Sequence, residues 1–100
     1  MVLRIPRLKR AVERIHNCRA KHAGSRIIVE RLPDGSIWRG TVEVFEISGH
    51  PEAHRCYAWI EERGTRSVSV TRLRIAPVTS AQHAVRSALA RAIGARVPAH

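Results

Sequence analysis

Between Ile5 and Cys18 the apolar residues Ile5, Leu8, Val12, Ile15 and Cys18 recur at steps of three and four, the period of one helical face. This spacing predicts an amphipathic helix over residues 6–22. Pro6 suits its first turn, where a missing donor costs little, and Ala23-Gly24-Ser25 supplies a stop. From residue 26 to residue 75 the period shortens to two, and Val, Ile, Thr and aromatic residues dominate, as in strands. Strands are predicted over residues 27–32, 37–47, 54–61 and 67–75. The turns between them are Pro33-Asp34-Gly35, Ser48-Gly49-His50-Pro51-Glu52 and Arg63-Gly64-Thr65. The alternation slips twice, near Phe45-Glu46 and near Thr71-Arg72, and an extra residue at each place predicts a β-bulge.

After Pro77 the helical period returns. Thr79-Ser80-Ala81-Gln82 reads as a capping box with Thr79 as the cap, and Ala81, Val85, Ala88, Leu89, Ala92 and Ile93 line one face up to Gly94. The pattern therefore predicts one α+β domain over residues 1–100. Its core is a four-stranded antiparallel β-meander flanked by an N-terminal and a C-terminal helix, both packed on the sheet (αββββα). The order resembles that of double-stranded-RNA-binding domains. The likeness is one of architecture, because the basic pair that opens that family's last helix is replaced by Ser80-Ala81-Gln82-His83.

Charge changes the picture. The 18 basic and 8 acidic residues give a formal net charge of +10, and the two signs are sorted along the chain. Up to Arg26 only Glu13 is acidic; the other acids lie between Ile27 and Gly64, and none follows Thr65. If folding joins the two basic ends, their field attracts a polyanion and holds it by counterion release. Arg7, Arg10, Arg14 and Lys21 fall away from the apolar stripe of the first helix. Arg86 and Arg91 lie on the polar face of the second. Side by side on the sheet, the two helices would form one phosphate-binding surface. Arg55, Tyr57 and Trp59 alternate on one side of the third strand, with Trp38 or Arg39 opposite, and such a face can stack unpaired bases.

These observations favour a small, non-enzymatic protein that binds the RNA or DNA backbone with little base specificity. The alternative is an adaptor or accessory protein that docks on a protein partner or on a second copy through its first strand or its alanine-rich helix. Other classes are weaker. His50, His54 and Cys56, with Cys18 and His22 one helical turn apart, offer zinc ligands but lack the Cys-x2-Cys spacing, so no metal or cofactor is expected. A cysteine nucleophile, or Glu61 and Glu62 acting as acid and base in an RNase-like toxin, has no supporting motif. The two cysteines, the lack of a secretory signal and the lack of a long apolar run point to a soluble cytoplasmic protein without a membrane partner.

Overall fold

The computed structural model describes the backbone of residues 4–96 and the side chains of residues 4–91. The elements are α1 (Arg4–His16), β1 (Arg19–Arg31), β2 (Ile37–Ser48), β3 (Arg55–Arg63), β4 (Arg66–Leu73) and α2 (Ala81–Arg96). The strands form an antiparallel meander in the order β1-β2-β3-β4. This is the α+β order expected from the periodicity.

The two helices lie on opposite faces of the sheet, not side by side. Leu8 and Val12 of α1 are fully buried against Phe45, Ile47, Cys56 and Ala58. Ala81, Ala84, Val85 and Ala88 of α2 pack on the other face, against Ile28, Val42, Val44, Tyr57 and Trp59. Burying each Leu or Val side chain contributes about 1.5–3 kcal/mol, so both faces of the central strands become core.

Two-sided burial removes both bulges expected from the sequence. The ladder from Glu43↔Ala58 to Glu46↔Arg55 is regular, as is that from Cys56↔Leu73 to Arg63↔Arg66. Val44 and Ile47 are both buried because one faces α2 and the other α1. The register shift that does occur lies in β1, between His22 and Gly24.

The first helix is shorter, and the first strand longer, than the periodicity suggests. Asn17 takes a positive φ of 51°, and the Cys18 N–H donates to the Glu13 carbonyl at 3.3 Å, closing the helix. The Glu13 carboxylate then accepts from the Ala20 N–H at 2.9 Å, fixing the entry into β1. Cys18 and His22 are therefore not a helical pair. The cap of α2 is Ser80 rather than Thr79, since Ser80 Oγ accepts from the His83 N–H at 3.1 Å. Gln82 reaches across to β1 instead of back to a cap, donating to the Val29 carbonyl at 3.1 Å and to Glu30. The helix also continues through Gly94.

Candidate functional site

The sheet splits at one end. β2 and β3 pair only from Glu43↔Ala58 to Glu46↔Arg55, whereas the β1–β2 ladder runs on to Arg31↔Ile37 and the β3–β4 ladder to Arg63↔Arg66. Beyond Val42 and Trp59 the two hairpins part. They leave a cleft of about 850 Å³. Its walls include Trp38, Trp59 and Val70 from the α2 face, but also Arg39, Thr41 and Ile60, whose register places them on the α1 face. The opening therefore lies between strands rather than on top of them.

Arg39 of β2, Arg63 of β3, Arg72 of β4 and Arg91 of α2 all line this cleft. Arg63 stands 3.2 Å from Glu61, which also accepts from the Trp59 indole N–H at 3.0 Å. The remaining three are absent from the ion pairs among the described residues, which join Arg4, Lys9, His22, Arg63 and Arg86 to carboxylates. Arg72 is half-buried; its Nη1 donates to the Thr71 carbonyl at 2.9 Å, and its buried Nε has no partner among the described residues. Burial, and then the like charge of Arg91, hold Arg72 below the ordinary arginine value, with Glu61 acting in the opposite direction. A positive charge kept short of solvent and of partners is a place where an anion gains most.

Trp38 shapes the cleft. Its indole lies across Gly40, where a Cβ would come within 2.7 Å of the ring, so only glycine permits this position. The ring meets Trp59 edge to face, with centroids 6.1 Å apart.

The residues singled out by the sequence are distributed differently. Arg10 and Arg14 are exposed on α1, while Arg7 donates to the Ser67 carbonyl of β4 at 2.6 Å. Lys21 lies in β1 opposite Glu46. Arg86 pairs with Glu30 at 3.2 Å on the other side of the sheet from α1. Opposite placement of the helices thus separates the arginine group of α1 from that of α2. Arg55 sits at the far end of β3, in a hollow with Glu46, Glu52, His54 and Arg74. Tyr57 and Trp59 are covered by α2, at 4% and 1% exposure, and present no open stacking face. Only Arg91 and Trp59 of that set reach the cleft. Arg63 and Arg72 carried no sequence signal, because a lone arginine at a strand end has no recognisable period.

The other candidates for chemistry are occupied structurally. No group of three or more His, Cys, Asp or Glu gathers in metal-binding geometry among the described residues. Burial, and then Cys18, push the Cys56 thiol up to about 12, and burial with Glu13 raises Cys18 as well, so neither is poised as a nucleophile. Glu62 accepts the Ser67 hydroxyl at 2.9 Å. Glu43 is fully buried on the α1 face and gathers His22 at 2.7 Å, Ser25 at 2.5 Å and Arg4 at 3.1 Å. Among the described residues no helix is long and apolar enough to cross a membrane. Ile27, Val29 and Ile37 form an exposed apolar stripe on the β1–β2 hairpin, flanked by Arg31 and Arg39.

The architecture is an α+β sandwich of helix, four-stranded antiparallel sheet and helix. Comparison of the chain with protein-family models, with curated proteins and with solved structures finds no match.

Proposed function

We propose that this chain is a small non-enzymatic protein that binds nucleic acid through the phosphate backbone, and that its contact surface is the cleft between the hairpins. The carrying observation is the convergence of Arg39, Arg63, Arg72 and Arg91, from four separate elements, on one opening. Glu61 and Glu62 also line the cleft and Glu61 pairs with Arg63, so phosphates would be held chiefly by Arg39, Arg72 and Arg91, which are absent from the ion pairs among the described residues. Contacts of this kind carry little base information, which fits a binder of broad sequence tolerance. Fluorescence anisotropy with a labelled 12-nucleotide probe across a salt series tests it. We expect a steep fall in affinity with salt, and a loss of at least about tenfold in Arg39→Glu with Arg91→Glu. Arg10→Glu with Arg14→Glu, matched in charge but outside the cleft lining, should cost much less. Equal losses in the two double variants would reject the cleft as the contact surface.

A second reading, an adaptor that docks on a second copy of itself, is favoured by one observation. Ile27, Val29 and Ile37 are 79%, 46% and 50% exposed on a single face, and contiguous apolar surface of this kind is characteristic of contacts between proteins.

A further inference from the structure

We infer that the cleft selects a single nucleic-acid strand over a duplex, lodging a base against Trp38 with the neighbouring phosphates on Arg39, Arg72 and Arg91. This rests on the nucleic-acid reading above and specifies its ligand. Three features carry it.

The first is the nature of the walls. The cleft opens where β2 and β3 leave their ladder, so strand edges form two of its sides. At about 850 Å³ the slot lies within the range of roughly 300–1,000 Å³ in which proteins enclose small ligands. That is room for a short stretch of unpaired chain. A duplex keeps its bases paired and stacked inside, so it offers the cleft no free base face and would be gripped through its phosphates from outside.

The second is where the charges stand. A duplex presents its phosphates on a convex surface and rewards a broad exposed face of cations. Opposed helices keep the α1 arginines and Arg86 from merging into one such face, since they lie on opposite sides of the sheet. Of the arginines that do converge, Arg39, Arg63 and Arg91 stand exposed at the rim of the cleft and Arg72 is recessed. Arg72 is half-buried with an Nε unpaired among the described residues, within reach of a phosphate that enters the slot.

The third is the aromatic and backbone chemistry of the same slot. Trp38 is half-buried, seated on Gly40, and its remaining surface lines the cleft. Residues 37–42 of β2 and 59–63 of β3 lack ladder partners across the gap, so N–H and C=O groups along these edges can meet sugar and base edges. A π-surface beside unpaired arginines is the combination with which proteins hold single strands, and each stacked base is worth about 1–3 kcal/mol. Duplex bases, already stacked and paired, gain nothing from it.

The experiment compares dT12, rU12 and a mixed-sequence 12-base-pair duplex at one ionic strength, by anisotropy and by quenching of tryptophan fluorescence. The two single strands distinguish DNA from RNA as the source of the ligand. At least one is expected to bind about tenfold or more tightly than the duplex and to quench the emission, and Trp38→Leu should weaken that binding by about five- to tenfold. Gly40→Ala, which displaces the Trp38 ring without removing it, should weaken binding in the same direction, with folding of both variants checked by circular dichroism. Duplex binding as tight as the single strands would overturn this inference and leave the nucleic-acid reading standing. Loss of all binding even at low salt would overturn both. Single-strand preference that survives Trp38→Leu and Gly40→Ala would reject Trp38 as the base contact.

Discussion

A carboxylate with no exposure, flanked in its strand by Val42 and Val44, persists at Glu43 because Arg4, His22 and Ser25 reach it from two other elements. The ion pair with Arg4 is close at 3.1 Å, although among the described residues neither Arg4 Nε nor Glu43 Oε2 completes an aligned hydrogen bond. Removing one partner of a buried pair strands the other groups. Glu43→Ala should therefore destabilise the fold by about 3 kcal/mol, the lower end for buried pairs because Arg4 is partly exposed. Urea unfolding measures it, and a loss below about 1 kcal/mol would show that solvent readily replaces the carboxylate. None of this was legible in the chain. A lone Glu at an odd strand position reads as solvent-facing, and its burial follows only once α1 is known to cover that side. Gly40 is a similar case, since its reason for being glycine is a neighbouring indole two residues away.

At the scale of elements, period and turn chemistry carried the order of helices and strands, because both are local. What they missed was sidedness. An alternation that slips, as at Val44 and Ile47, has two physical causes, an inserted residue or a core on both faces. One sequence does not separate them, and the second cause operates here. Helix ends also shifted, since the Asn17 turn and the Glu13 carboxylate that close α1 act through geometry rather than periodicity. The docking of α1 on β4 carries a pH dependence. His16 lies 2.8 Å from the Thr71 hydroxyl, and burial, then His50 and Arg72, hold it below its ordinary 6.5. The unfolded chain thus takes up the proton more readily. The contribution of His16 is complete above about pH 6.5 and is lost as the pH falls through its depressed value in the fold. The thermal midpoint should drop between about pH 7.5 and about pH 5.5, and His16→Gln should reduce that drop. An equal drop in the variant would assign the dependence to other groups.

For the whole molecule, the sorted charges correctly marked where cations are abundant, but not which of them meet. The rule that both basic ends would merge assumed helices on one face. The structure divides those ends and gathers a different set, drawn from strand ends and Arg91, around the split. The apolar stripe is also a property at this scale. If Ile27, Val29 and Ile37 seat a second copy, sedimentation should show mass rising with concentration, and Ile27→Lys with Ile37→Lys should hold the protein monomeric. A wild-type monomer at all concentrations would remove self-association. The brief seam between the two hairpins has a further consequence for how this shape can change over generations. Each arm ends in its own tight turn, at Pro33-Asp34-Gly35 on one side and Gly64 on the other. Residues added in pairs at either tip would keep every side chain on its proper face, so one bank of the gap could lengthen while the helices stayed seated.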